Sequence, residues 1–179
     1  MRPVSERRAL FLGRFQPYHN GHQRVIEKIA QQVDELIIAV GSAQWSHTLR
    51  DPFTAGERIM MIHRALEALS LTRYVLPVED IERNSLYVSH ILTLTPSFQV
   101  VYSNNPLVVR LFKEAQVPVR SLPFIERDRF WGTKIRELMI AGDEWRAYVP
   151  APVAQVIDEI DGITRLRQIH KTDHLPEKR

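Results

Sequence analysis

Short apolar runs and amphipathic stretches alternate along almost the whole of this chain, and that alternation narrows the choice of fold more than any other feature. Ala9–Gly13, Glu35–Gly41, Arg73–Val78 and Phe98–Tyr102 read as strands, with a short fifth near Val117–Leu122. Between them lie helical patterns. Asn20–Val33 places Val25, Ile26, Ile29, Ala30 and Val33 on one face. Thr54 and Glu57 have the spacing of a capping box and open a helix through Ile59, Ile62, Leu66 and Leu69. Ser85–Leu94, Pro106–Ala115 and Thr133–Ala141 follow, the last stopped by Gly142. Pro152–Ile160 and Ile163–His170 are predicted to be helices that pack against the sheet edge or a neighbouring subunit. Strands alternating with helices predict an α/β fold: an open, mostly parallel, doubly wound (Rossmann-like) sheet with helices on both faces and a small helical C-terminal extension. Glu35–Gly41, apolar on both faces, has the pattern of a central strand.

At 179 residues the chain is expected to be one domain, with an α/β core over about 9–150 and a helical extension and basic tail over about 151–179. It has no cysteine, which excludes disulfides and thiolate metal sites. No apolar run approaches the roughly 20 residues of a spanning helix, so no membrane partner is expected. Met1–Arg8 is polar and unlike a signal peptide, so a cytoplasmic location is expected. The net charge is a modest +3. Arg165, Arg167, His170, Lys171, His174, Lys178 and Arg179 read as a solvated basic tail rather than a nucleic-acid surface.

The unusual residues cluster where strands end, which in such sheets is where ligands bind. After the first strand come Gly13, Arg14 and then His19-Asn20-Gly21-His22, at the start of a helix. Free N–H groups and the positive end of the helix dipole, beside an arginine and two imidazoles, suit a phosphate. No third and fourth ligands stand at metal-site spacing and no His-Glu-x-x-His occurs, so no protein-held metal is assigned. A structural role, with the imidazoles capping local backbone, is the competing reading. Arg136 lies one turn into a helix beginning at Gly132-Thr133, where Thr133 is expected to cap, and offers a second phosphate jaw. Neither the P-loop nor Gly-x-Gly-x-x-Gly is present.

Gly13-Arg14-Phe15-Gln16-Pro17-Tyr18-His19-Asn20-Gly21-His22 resembles the signature of the His-x-Gly-His nucleotidylyltransferase superfamily. Further segments narrow the likeness: Gly41-Ser42-Ala43-Gln44, Ser46-His47, Arg50 to Arg58, Tyr102 to Val108, and Arg127-Asp128-Arg129 before Gly132-Thr133. Together, from about Leu10 to Ile160, they resemble the archaeal-type nicotinamide-nucleotide (NMN) adenylyltransferases. The resemblance implies transfer of the adenylyl group of ATP to NMN, giving NAD and pyrophosphate, with Mg²⁺ accompanying the ATP and a homo-oligomer, a hexamer, as the assembly. It gives Arg14, His19, His22 and Arg136 catalytic roles on the triphosphate. Gly13, Phe15, Gln16, Gly21, Ser42, Arg50, Arg127, Arg129, Gly132 and Thr133 become ATP-binding residues, and Asp80, Ile81, Asn84 and Tyr87 NMN-binding residues. The alternatives are another phosphorylated acceptor on the same fold, or a nucleotide-sensing module without turnover.

Two departures stand out. The superfamily's second motif, Ile-Ser-Ser-Thr-x-x-Arg, here reads Phe130-Trp131-Gly132-Thr133-Lys134-Ile135-Arg136, without the two small hydroxyl residues. The position of Tyr87, often tryptophan in the family, carries a smaller ring with a polar edge. In related proteins a Nudix hydrolase domain can follow, and this chain is too short to be expected to contain one.

Overall fold

The structure, a computed structural model, describes residues 6–122 and 132–173. Five parallel strands form one sheet in the order β3-β2-β1-β4-β5: β1 Glu6–Gly13, β2 Val33–Val40, β3 Thr72–Pro77, β4 Val100–Tyr102 and β5 Val119–Arg120. The order reverses between β1 and β4, which puts the carboxyl end of β1 beside the switch point.

Alternation along the central strands divides the core in two. Ala9 and Phe11 of β1, Leu36, Ile38 and Val40 of β2, and Val100 and Tyr102 of β4 face one apolar cluster. Leu10, Ile37, Ala39 and Val101, one residue out of phase, face the other. The first cluster is covered by α1 (Asn20–Ala30), α2 (Ala55–Ala65), α5 (Gly132–Ala141), α6 (Ala151–Glu159) and α7 (Gly162–Asp173). The second lies under α3 (Tyr87–Leu94) and α4 (Pro106–Glu114). Burial on both faces explains why the strands read as continuous apolar runs.

Some boundaries differ from the sequence reading. The first helix stops at Ala30, because Val33 is the first residue of β2 and pairs with Glu6. The strand β1 starts at Glu6, three residues earlier than apolarity suggests. Its polar half is held by Arg8, which faces Glu35 across the ladder and donates from Nε to Oε2 at 2.7 Å. The last two helices pack on α2 and α5 rather than on a sheet edge, and Val153, Val156, Ile157 and Leu166 are fully buried in the first cluster. Trp145 is buried in that same core. Among the described residues no helix is long and apolar enough to cross a membrane.

Side-chain carboxamides tie neighbouring strand ends together, each bonding both backbone groups of the next loop. Gln16, after β1, donates to the C=O of Phe53 at 2.9 Å and accepts from its N–H at 3.0 Å. Gln44, after β2, does the same to Asp80 after β3, at 3.3 and 3.0 Å. Asn104, after β4, holds Leu122 after β5, with both bonds at 2.9 Å.

Candidate active site

The chain leaves β1 at Gly13, turns through Phe15 at φ 53°, and enters α1 with His19 as its N-cap. A side chain at Gly13 would strike the Phe15 ring, the nearest atom 2.6 Å from an added Cβ. Glycine therefore lets the Phe15 ring fold back onto the strand end and meet His22 edge-on, with centroids 4.7 Å apart.

The two histidines build a capping box of their own. Nδ1 of His19 accepts from the backbone N–H of His22 at 3.3 Å, and Nδ1 of His22 accepts from the N–H of His19 at 3.2 Å. The rings stack with centroids 3.5 Å apart. An accepting Nδ1 leaves the proton of a neutral imidazole on Nε2, so hydrogen-bond geometry assigns both rings the Nε2–H tautomer. Desolvation opposes protonation: it pulls His19 down to about 4, and it holds the half-buried His22, with His19 adding, well below its ordinary value. The capping and donor readings of the pair are therefore compatible, with one nitrogen serving each.

Arg136 reaches the same place from α5. Its Nη1 donates to the C=O of Gln16 at 2.7 Å, its Nε to the C=O of Leu49 at 2.9 Å, and its Nη2 to Oγ1 of Thr133 at 3.3 Å. Thr133 thus receives Arg136, and the helix already begins at Gly132. Burial and then the nearby Arg14 lower Arg136 to about 10, which leaves it cationic at neutral pH. Two of its five N–H groups remain beyond these bonds.

Arg14, His19, His22, Arg50 and Arg136, with Phe15, Gln16, Gly132 and Thr133, line a cavity of about 420 Å³; Pro17 completes the wall. The lining is thus made of residues expected from sequence, apart from Pro17. Gln16 shapes the wall while its carboxamide is bound to Phe53. Gly21 is buried in the first turn of α1. Ser42 lies outside the lining at the end of β2, buried and at φ 51°. Arg127, Arg129 and Trp131 lie outside the described residues.

Asp80, Ile81, Asn84 and Tyr87 follow β3 and stand apart from that lining. Asp80 is exposed, its backbone is bound to Gln44, and its charge acts on Arg14 and Arg58. Asn84 is exposed at the start of a single 3₁₀ turn that runs into α3. Tyr87 packs edge-on against Phe112 at 6.3 Å, and burial, with Asp80 adding, raises its hydroxyl to about 12.

Sequence reasoning missed Arg58. It is fully buried, although its place on α2 looks like that of an ordinary polar helix residue. Its Nη1 donates to the C=O groups of Arg14 and Gly41, both at 2.8 Å; Nη2 donates to Ser42 and Nε to Thr54, both at 3.2 Å. One guanidinium therefore fixes the exits of β1 and β2 and the cap of α2. Its presence in the segment Arg50 to Arg58 was the available signal.

The family profile described as cytidylyltransferase-like matches residues 10–138. Proteins named nicotinamide-nucleotide adenylyltransferase are similar over most of the chain. That of Halorubrum lacusprofundi is 54% identical over 93% of this chain and 94% of its own length. Those of Methanosarcina barkeri and Methanothrix thermoacetophila are 55% and 56% identical, each over 93% of this chain, covering 96% and 98% of their lengths. Among solved structures, a bifunctional NMN adenylyltransferase/ADP ribose pyrophosphatase of Francisella tularensis, complexed with AMP and a manganese ion, shares the fold. It superposes with a TM-score of 0.76 at 18% identity, over 93% of this chain and 53% of that one, so this chain spans about half its length. By sequence, the chain belongs to the nicotinamide-nucleotide adenylyltransferases of the cytidylyltransferase-like family.

Proposed function

We propose that this chain joins ATP and NMN, as one nucleotidylyltransferase domain in the cytoplasm, to give NAD and pyrophosphate. The observation that carries the reading is the cavity: His19 and His22, each with Nδ1 engaged by backbone, line it together with Arg14, Arg50 and Arg136. Such a lining offers cations and N–H donors and fits a polyphosphate. The attacking group, a phosphate oxygen of NMN, is already ionised near neutral pH, so no strong general base is needed. The barrier is electrostatic and positional, with in-line attack on the α-phosphorus.

In this reading Arg14 and Arg136 hold the triphosphate, and Nε2–H of His19 and His22 donates to α- and β-phosphate oxygens as pyrophosphate leaves. Arg50, Arg127, Arg129 and the start of α5 at Gly132 and Thr133 add contacts, and Gly13, Phe15, Gln16 and Gly21 shape the turn. Ser42, at the end of β2, approaches a ribose or phosphate by its backbone. Asp80, Ile81 and Asn84 receive the carboxamide and ribose of NMN, with Tyr87 beside the ring. Among the described residues no group of three or more acidic or histidine side chains is arranged to hold a metal. In this reading the divalent ion, Mg²⁺, enters on the triphosphate as part of the substrate, where it neutralises charge. The proposed assembly is a homohexamer.

A pyrophosphate-release assay with ATP, Mg²⁺ and a panel of phosphorylated acceptors tests the proposal. Turnover is expected with a pyridine mononucleotide. None with either nicotinamide or nicotinate mononucleotide refutes it.

A further inference from the structure

A carboxylate is buried among the arginines of this cavity. Asp51 is 6% exposed. Its Oδ1 lies 3.2 Å from Nη2 of Arg14, an ion contact whose angle falls outside hydrogen-bond geometry, and that oxygen is fully buried with no hydrogen-bond partner. The backbone around it is held separately: its N–H donates to Oγ1 of Thr48 at 2.9 Å, and its C=O accepts from the N–H of Thr48 at 3.3 Å. The same carboxylate favours the charged forms of Arg58 and Arg136 as well as Arg14. A buried negative charge in contact with Arg14, whose field also reaches Arg58 and Arg136, is a poor structural tie and an effective counter-ion.

We propose that Asp51 is the resident counter-ion of the polyphosphate site, holding the Arg14 guanidinium in place while the site is empty and weakening the arginines' grip on pyrophosphate once it has formed. This rests on the reading that Arg14 and Arg136 bind the triphosphate. An incoming anion must share its arginines with a charge that does not leave, so its affinity is lower than the arginines alone would give. The gain is a preset Arg14 and a product that departs. Neutralising Asp51 without changing its shape therefore tightens polyphosphate binding and slows turnover together, the opposite of what a damaged scaffold does.

The test uses the full chain with Asp51→Asn, with Asp51→Ser as a second neutral variant and Asp51→Glu as a charge-retaining control. Binding of inorganic pyrophosphate and inorganic triphosphate is measured by calorimetry without acceptor, alongside kcat. Both neutral variants are expected to bind these anions about tenfold more tightly and to turn over about tenfold more slowly. Asp51→Glu is expected to stay within about twofold of the native affinity. Unchanged or weaker anion binding in the neutral variants overturns the proposal, and so does tighter binding by Asp51→Glu. Anion binding that behaves as expected, in a protein that adenylylates no pyridine mononucleotide, would support the counter-ion and refute the proposed reaction.

Discussion

His19 and His22 cap one turn of helix through each other's backbone, each Nδ1 accepting the N–H of the other residue. That arrangement works only while both Nδ1 atoms are unprotonated. Burial lowers His19 from 6.5 to about 4 in the folded protein, so as pH falls the unfolded chain takes up its proton first. Stability is then full above about pH 6.5 and is lost as pH falls towards 4, by about 3 kcal/mol from His19, with His22 acting in the same direction. Thermal melts across this range check it. His19→Asn, which can still cap, should flatten the dependence; an unchanged slope would refute the assignment.

His22→Ala should lower kcat by two or more orders of magnitude, about the value of an oxyanion donor, with ATP binding still measurable. Single-turnover kinetics separate the two effects. A change confined to KM would make the histidine a binding contact only.

Arg58→Lys keeps the charge but reaches fewer of the four carbonyls that Arg58 binds. We expect a loss of about 2–4 kcal/mol in urea unfolding, and kcat falling more than ATP affinity, because the Arg14 and Ser42 backbones shift. Native kinetics in a destabilised variant would confine Arg58 to the scaffold.

Glu57 caps α2 with Thr54 and also receives both Nη groups of Arg165 at 2.8 Å, which ties α7 to α2. Burial works against its ionisation, but Arg165 prevails and holds its carboxyl below the usual value. This stability is present above the unfolded pKa and fades as pH falls through the lower folded one. Glu57→Gln should cost about 1 kcal/mol, a few degrees in Tm, near neutral pH, with a smaller difference in acid. An equal gap at all pH values would contradict the ion pair's role.

On the acceptor side, Asn84→Ala should raise the KM for NMN about tenfold and leave that for ATP unchanged. Tyr87→Phe should be nearly silent, since the ring's edge contact with Phe112 survives. A large acceptor defect in Tyr87→Phe would show its hydroxyl to be a substrate contact.

Much of this was legible in the sequence because both signals were local. A continuous apolar run exposed β2 and helical periodicity exposed the helices, and the turn from Gly13 to His22 carries its chemistry in ten consecutive residues. What escaped depends on long-range packing. Arg58 looks like a solvent-facing helix residue until the ends of β1 and β2 close over it. Thr133 looks like a cap until Arg136 claims its hydroxyl. The polar start of β1 is a strand only because Glu35 lies opposite Arg8. The edge contact of Tyr87 with Phe112 joins α3 to α4 and is not visible in a spacing.

The ties from Gln16 to Phe53, Gln44 to Asp80 and Asn104 to Leu122 are made by neutral amides. Amides neither titrate nor draw a counter-ion cloud, so added salt leaves these bonds nearly untouched while it screens the cationic wall beside them. Outline and field are thus under separate control, and raising ionic strength should drain the cavity of its attraction for anions without changing the space they would enter.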